Sequence, residues 1–152
     1  MFSHEGARRG KQFALSSFAH QIVQYEKKKD FGKEGSWYEI HHGNLDSVRT
    51  YNHIDDAVHA YWLAVNKCDY GEVYNIGGDE TCNIGDALDV LISKSKNPES
   101  FIKLPDPKRI RPTDITLQIP DSTKFREKTG WKPTKGLKEI CDDLLEYWRE
   151  VL

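Results

Sequence analysis

A short apolar segment, followed by two glycines and an amphipathic segment, restricts the fold of this chain more than any other feature. Val73–Ile76 has the composition of a buried strand, and Gly77-Gly78 ends it, most simply as a tight turn. Asn83 then stands where a helix N-cap is expected, with Asp86 three residues later as in a weak capping box. A strand, a turn and a helix in this order predict an α/β fold.

Helical periodicity recurs elsewhere in the chain. Apolar spacing and capping signals predict further helices over residues 13–26, 54–65, 122–129 and 137–148. Trp37–Ile40 alternates and is aromatic, so we expect a short strand there. Helices packed on a few short strands, without strict alternation, predict a mixed α/β fold.

Two features of the helix that starts at Ile54 can be interpreted from the sequence. Its buried stripe is predicted to consist of Ile54, Ala57, Val58, Tyr61, Ala64 and Val65. Asp55 and Asp56 lie in its first turn, where the helix dipole favours negative charge. We therefore interpret these two carboxylates as helix-start charges and not as catalytic groups.

Length and composition indicate one domain in a reducing compartment. A chain of 152 residues is long enough to bury its own core. The net charge of −2 gives no preference for nucleic acid, and no apolar run is long enough to span a bilayer. The three cysteines are odd in number and far apart, which argues against a disulfide framework or a zinc site. We expect a single cytoplasmic domain over residues 1–152, without a nucleic-acid or membrane partner.

Motifs for catalysis or cofactor binding are absent from the sequence. GxGxxG, GxxxxGK[ST] and GxSxG do not occur. His41 and His42 are adjacent on a predicted strand, so they point to opposite faces and form no closed ligand set. Tyr25 and Lys29 match YxxxK, but they lie in a lysine-rich helix end and are interpreted as coincidental. No catalytic, metal-binding or cofactor-binding residue is predicted.

Arginines on loops are the stronger candidates for ligand binding. Arg49 lies between a probable strand and a helix, and Arg109 and Arg111 lie in a proline-rich loop that continues to Asp114. Guanidinium groups bind phosphates bidentately, and a carboxylate accepts hydrogen bonds from ribose hydroxyls. Converging arginines would therefore suit a nucleoside diphosphate. On the residues alone, ordinary surface arginines explain the pattern equally well.

Several longer motifs carry a family resemblance from His4 to Arg149. They are "HEGARRG", "GNLDSVRTYNHIDDAVHAYWLA", "GEVYNIGGDETCNI", "RIRPTDITLQIPDSTKFREKTGWKP" and "LLEYWR". These resemble the GDP-mannose 4,6-dehydratases of the extended short-chain dehydrogenase/reductase superfamily. The resemblance covers only the C-terminal, substrate-binding half of such an enzyme. The family's Rossmann glycine motif and its catalytic Tyr-xxx-Lys, both in the N-terminal half, have no counterpart in this sequence.

The resemblance also implies roles for individual residues. It places Arg49 and Arg111 on the diphosphate, Asp114 near the ribose, Asn75 near the phosphates, and Phe13 and Leu15 in the nucleotide pocket. Ser3 stands where many members of the family have an asparagine that contacts substrate. NADP is implied for the full-length family, with none expected on this chain alone. The implied partners are a GDP-sugar and an N-terminal Rossmann half.

Three functions remain open from the sequence. The first is the substrate-binding portion of an NAD(P)-dependent nucleotide-sugar 4,6-dehydratase that converts GDP-mannose to GDP-4-keto-6-deoxymannose. The second is a non-catalytic nucleotide-binding or interaction module, and the third is the substrate half of an epimerase or reductase for another nucleotide sugar. A strand at 73–76 without the rest of its sheet would expose its edges, so we also expect a homo-oligomer.

Overall fold

The computed structural model describes residues 1–152 and consists of five α-helices and six short strands. The helices are α1 (Ala14–Glu26), α2 (Ile54–Lys67), α3 (Ile84–Ser93), α4 (Thr123–Thr129) and α5 (Leu137–Val151). The strands are β1 (His4–Glu5), β2 (Tyr38–His42), β3 (Val48–His53), β4 (Glu80–Asn83), β5 (Phe101–Pro105) and β6 (Leu117–Gln118). The mixed α/β class predicted from the sequence is confirmed. None of the helices combines the length and apolarity needed to cross a membrane.

β3 is the central strand of the larger sheet. β4 pairs with it in antiparallel orientation along one edge. β6 and β1 pair with it in parallel along the other edge, β6 beside Arg49 and β1 beside His53. β2 and β5 form a separate two-stranded parallel sheet. Side chains alternate along a strand, so Arg49 and Tyr51 project from the same face of β3.

The main hydrophobic core lies where α1, α3 and α5 pack together and cover β2 and β3. The helix predicted over residues 137–148 is confirmed as α5, and its residues Leu137, Ile140, Cys141, Leu144 and Leu145 are all buried. The helix predicted over residues 13–26 is also confirmed, with its apolar face in the same core. This packing positions the N-terminal end of α1, which forms one wall of the cavity described below.

Local capping signals are realised as predicted. Asn83 Oδ1 accepts a hydrogen bond from the Asp86 amide at 2.7 Å and begins α3. Gly130 ends α4 with φ 75°, a left-handed conformation that glycine adopts without penalty. Trp131 then folds back and is only 1% exposed. The two caps depend on neighbouring residues alone, which is why the sequence predicts them.

The strand predicted at Val73–Ile76 is wrong. The segment is extended, and the Phe2 amide donates to the Ile76 carbonyl at 2.8 Å, but no continuous ladder forms and Val73 is exposed. The tight turn predicted at Gly77-Gly78 is also wrong. A Cβ at Gly78 would collide with the Tyr51 carbonyl, so the glycine permits the backbone to pass close to β3. The observed strand, β4, begins at Glu80.

The predicted buried stripe of α2 is wrong in part. Ala57 is buried as expected, but Val58, Tyr61 and Val65 are 60%, 51% and 83% exposed. Together with Trp62, which is 67% exposed, they form an apolar surface that we call the α2 outer face (Val58, Tyr61, Trp62 and Val65). Their spacing of i, i+3, i+4 and i+7 places them on one side of the helix. The helix is instead anchored through Asp56, Ala57 and Ala60.

Candidate functional site

A cavity of about 500 Å³ lies between the N-terminal end of α1, β3 and two loops, residues 43–44 and 108–114. Its volume is in the range of small-ligand sites. Five of the six residues predicted for a nucleotide-sugar site line it, namely Phe13, Leu15, Arg49, Arg111 and Asp114. The structure therefore brings together side chains that are almost one hundred positions apart in the sequence. Asn75 is exposed and does not line the cavity.

Positive charge is concentrated around this cavity. Six cationic side chains line it, and they are Arg9, Lys11, Arg49, Lys108, Arg109 and Arg111. Only two carboxylates do so, those of Glu5 and Asp114. The whole chain has a net charge of −2, so the excess of cations here is a local property of the fold. A concave surface with this charge attracts anions, and arginines favour phosphates among them.

Asp114 and Arg49 form the most ordered polar cluster of the cavity. Arg49 Nη2 donates to Asp114 Oδ1 at 3.2 Å, and the other carboxylate oxygen accepts from Ser47 Oγ at 2.6 Å and Asn44 Nδ2 at 3.2 Å. The Ser47 hydroxyl, and then the Arg49 charge, hold the pKa of Asp114 below its ordinary value. Asp114 is therefore a carboxylate at neutral pH, and it orients the Arg49 guanidinium towards the cavity.

Arg111 has no hydrogen-bond or ion-pair partner within the chain and lies exposed at the cavity rim. Its guanidinium is therefore free to bind a ligand, whereas that of Arg49 is already oriented by Asp114. Arg49 and Arg111 approach one cavity from β3 and from the proline-rich loop. Two arginines on separate elements can grip one diphosphate from two sides.

The proline-rich loop reaches the cavity because Gly43, which has no side chain, lets the loop backbone pass close by. A Cβ at Gly43 would collide with the Arg109 carbonyl. The loop is further tied to α1, since Arg109 Nη1 donates to Ser17 Oγ at 3.0 Å. Asp106 caps the short 3₁₀ helix Pro107–Arg109 by accepting from the Lys108 amide at 3.0 Å. The loop is thus positioned by contacts that do not involve Arg111.

The opposite end of the cavity contains a buried carboxylate. Glu5 is 7% exposed, and Arg9 Nε lies 3.5 Å from Glu5 Oε2, close enough for an ion pair but without a hydrogen bond. Arg9 also covers the Phe13 ring, with its Cζ 3.4 Å from the ring centroid. Burial raises the pKa of Glu5 to about 7, and Arg9 opposes this only in part. Tyr51 lies beside them, and burial raises the pKa of its hydroxyl as well.

Several residues that line the cavity or bond its lining side chains were not predicted as site residues from the sequence. Arg9, Asn44 and Ser47 lie within motifs that carry the family resemblance, so the signal was present in "ARRG" and "GNLDS". Glu5 lies in the first of those motifs too, but its role at the cavity depends on the pairing of β1 with β3. Tyr25 packs on Tyr38, with ring centroids 4.9 Å apart, and Lys29 is exposed. This YxxxK match lies outside the cavity.

Solved structures define the class of this fold. RMD from Pseudomonas aeruginosa, complexed with NADPH, superposes with a TM-score of 0.78 at 19% identity, covering 99% of this chain and 47% of that one. UDP-glucose 4-epimerase from Thermotoga maritima, with UDP-glucose, gives 0.73 at 27% identity, covering 99% and 44%. The fold is that of the C-terminal part of extended short-chain dehydrogenase/reductase proteins.

The particular family follows from the sequence match. The family model for GDP-mannose 4,6 dehydratase matches residues 1–144, and the chain belongs to that family. GDP-mannose 4,6 dehydratase from Drosophila melanogaster is 24% identical over 163 residues, covering 96% of this chain and 39% of the relative. The chain therefore spans less than half the length of these relatives.

A glycine-rich phosphate loop is missing from the sequence, and the only adjacent glycines are Gly77 and Gly78. A Cβ at Gly77 would collide with Pro120 and one at Gly78 with the Tyr51 carbonyl, so both glycines permit close packing of the backbone.

Proposed function

We propose that residues 1–152 form a single nucleotide-sugar-binding domain, the substrate-binding portion of an NADP-dependent GDP-mannose 4,6-dehydratase. The observation that carries the proposal is the convergence of Arg49, Arg111 and Asp114 on one cavity rich in positive charge. The diphosphate binds between the two guanidinium groups, and the nucleoside extends towards Asp114. In this proposal NADP and the catalytic residues belong to a separate N-terminal half.

The hydrogen bonding of Asp114 supports its role towards the ribose. A carboxylate has about four lone-pair positions for acceptance. In this structure Arg49, Ser47 and Asn44 supply three donors to Asp114. One lone-pair position of Asp114 is left to accept from a ribose hydroxyl, so Asp114 can bind the ribose while it keeps its bond to the Arg49 guanidinium. The proposed site therefore orders Arg49 before the ligand arrives, which reduces the entropy cost of binding.

A second candidate function is supported by the similarity to UDP-glucose 4-epimerase from Thermotoga maritima. In that case this chain is the substrate half of an epimerase for a UDP-sugar. The arginines and Asp114 would act in the same way, because both ligands contain a diphosphate and a ribose. Only the base and the hexose distinguish the two candidates. A non-catalytic module that binds a nucleotide would need the same cavity and would bind GDP and GDP-mannose equally well.

Titration calorimetry on the purified chain tests the proposal. We expect GDP-mannose to bind more tightly than UDP-glucose, and Arg111→Ala to weaken GDP-mannose binding by roughly 2–4 kcal/mol because a charged contact to phosphate is lost. Lys138→Ala is the matched control, since Lys138 is an exposed cation on α5 outside the cavity. Affinity should also fall as salt is raised.

Each alternative has a distinct outcome in this experiment. Tighter binding of UDP-glucose would favour the second candidate, the substrate half of an epimerase for a UDP-sugar. Equal loss of affinity in Arg111→Ala and Lys138→Ala would mean that the proline-rich loop does not hold the phosphates. Absence of binding by GDP, GDP-mannose and UDP-glucose would overturn the nucleotide-sugar assignment for this chain.

A further inference from the structure

The proline-rich loop presents Arg111 to the cavity on a stretch of chain that lacks backbone support. We call residues 109–114 the Arg111 segment. No backbone–backbone hydrogen bond forms at residues 111–115, and the next one along the chain is accepted by the Thr116 carbonyl. A surface segment without such bonds opens easily unless side chains hold it. The position of Arg111 therefore depends on side-chain contacts at the two ends of the segment.

A serine of α1 holds the first end of the Arg111 segment. Arg109 Nη1 donates to Ser17 Oγ at 3.0 Å, and Ser17 is buried. Helix α1 packs in the main core, so this hydroxyl lies on a rigid element. Arg109 Nε also donates to Asp106 Oδ2 at 3.3 Å, which helps to fix the direction of the arginine side chain. The start of the segment is thereby attached to the core.

A second serine holds the other end. Ser47 Oγ donates to Asp114 Oδ2 at 2.6 Å, whereas the Asn44 Nδ2 bond to the same oxygen is longer, at 3.2 Å. The Ile84 amide donates to the Ser47 carbonyl at 3.1 Å, so the loop that carries this serine is attached to the start of α3. Ser47 is 1% exposed and does not line the cavity. Its hydroxyl can therefore affect a ligand there only through the side chains that it bonds.

The Arg111 segment is thus held at both ends, by two serines attached to different helices, while its middle has no partner. Arg111 makes no bond within the chain, and Pro112 restricts the backbone beside it. A segment fixed at both ends samples fewer conformations than a free loop. The Arg111 side chain is then presented at the cavity before a ligand arrives, and less entropy is lost when the ligand binds.

We propose that Ser17 and Ser47 are positioning residues of the proposed diphosphate site, and that their hydroxyls hold Arg111 at the cavity by fixing the two ends of its segment. This inference rests on the proposed function, in which Arg111 and Arg49 bind one diphosphate. It makes the affinity for that ligand depend on two serines that need not touch it.

Calorimetry with GDP tests the inference, because GDP carries the diphosphate and the ribose. We expect Ser17→Ala and Ser47→Ala each to weaken GDP binding about fivefold, since a mobile Arg111 must be ordered by the ligand itself. Ser100→Ala is the matched control, because Ser100 is also buried and lies outside the cavity. Its hydroxyl accepts from Asn97 Nδ2 at 2.7 Å, so all three variants lose a hydrogen bond and only two of them release the segment.

Limited proteolysis measures the mobility of the segment itself. Trypsin cleaves after lysine and arginine, and Lys108 and Arg109 lie at the start of the Arg111 segment. Cleavage of a folded chain needs local opening, so its rate reports how often the segment leaves the surface. We expect cleavage after these two residues, identified by mass spectrometry, to be about threefold faster in the Ser17 and Ser47 variants than in wild type. A general loss of stability would instead accelerate cleavage at all sites together.

The outcomes separate this inference from the function on which it rests. If Arg111→Ala weakens GDP binding but the Ser17 and Ser47 variants bind GDP as wild type does, the serines are not positioning residues and the phosphate site stands. Faster cleavage without a loss of affinity would lead to the same conclusion. If Ser100→Ala weakens GDP binding as much as they do, the effect is general instability and the inference is wrong. If the wild-type chain does not bind GDP, the proposed function fails and the positioning role fails with it.

Discussion

At the scale of single residues, Glu5 is the side chain whose environment conflicts most with the stability of the ligand-free chain. It is buried, and its only charged neighbour, Arg9, is placed too far away for a hydrogen bond. A carboxylate in this position loses solvation without full compensation, which is why its pKa rises to about 7. Asp114, at the other end of the cavity, has three donors, and its pKa is lowered. The two ends of the cavity therefore shift the pKa of a carboxyl group in opposite directions.

The raised pKa of Glu5 predicts a pH-dependent stability. Between the ordinary value of 4.5 and about 7 the folded chain holds a proton that the unfolded chain has lost. The contribution of Glu5 is therefore most favourable below 4.5, declines as the pH rises towards 7, and is constant above that. Glu5→Gln removes the charge, so we expect it to stabilise the chain by about 2–3 kcal/mol at pH 8 and by much less at pH 4.5.

Urea unfolding of wild type and Glu5→Gln at the two pH values measures this difference directly. Glu127→Gln, at an exposed position, should show the same stability as wild type at both. A Glu5→Gln variant less stable than wild type at pH 8 would mean that the Glu5 and Arg9 ion pair is a structural contact. A stabilising result would show that the wild-type residue is kept at the expense of stability, which is typical of a binding residue.

At the scale of elements, α2 is held to the rest of the fold by its first turn. The Asp56 carboxylate accepts from the Thr134 amide, the Thr134 hydroxyl and the Lys135 amide at 2.8–3.0 Å. Trp131 Nε1 also donates to the Asp56 carbonyl at 3.1 Å. Asp55, one residue earlier, is 65% exposed in its side chain and pairs with Lys135 at the surface. Two adjacent helix-start carboxylates thus have unequal structural roles.

We expect Asp56→Ala to destabilise the chain by about 2 kcal/mol, because two partly buried backbone amides and the Thr134 hydroxyl would lose their acceptor. Asp55→Ala is the matched control, and its effect should be much smaller because an exposed ion pair contributes little. Chemical unfolding monitored by tryptophan fluorescence measures both, since Trp131 packs against this turn. Equal losses in the two variants would mean that Asp56 acts only through the helix dipole.

The same turn shows where prediction from sequence succeeds and where it ends. The position of Asp55 and Asp56 in the first turn follows from local pattern, but the bonds of Asp56 join residues 78 and 79 positions apart. Helix periodicity found α1 and α5 because their apolar faces meet the core. For α2 the predicted buried face was wrong, because periodicity shows that a helix has an apolar face but not which part of the structure covers that face. In the site, the family resemblance supplied Arg49, Arg111 and Asp114, whereas Glu5 requires knowledge of the β1–β3 register.

At the scale of the whole molecule, the α2 outer face and most of the backbone of segment 73–76 are both left without a partner in the chain. The α2 outer face exposes four apolar side chains, and the extended segment 73–76 follows α2 with most of its backbone outside any ladder. An exposed apolar helix face of four side chains is a surface suited to another polypeptide. In the proposed function an N-terminal Rossmann half covers it. In the chain alone, a second copy is the available partner, and we propose a homo-oligomer.

Light scattering tests this proposal. We expect the purified chain to self-associate as its concentration rises, and we expect the double substitution Trp62→Glu with Val65→Glu to shift it towards monomer. Trp62 and Val65 are 67% and 83% exposed, so the substitutions should leave the fold intact. Glu127→Lys, on the exposed surface of α4, controls for an effect of surface charge. A wild-type chain that stays monomeric at high concentration would overturn the proposal. If the double variant associates as wild type does, the interface lies elsewhere, and the apolar face of α2 must be explained by a different partner.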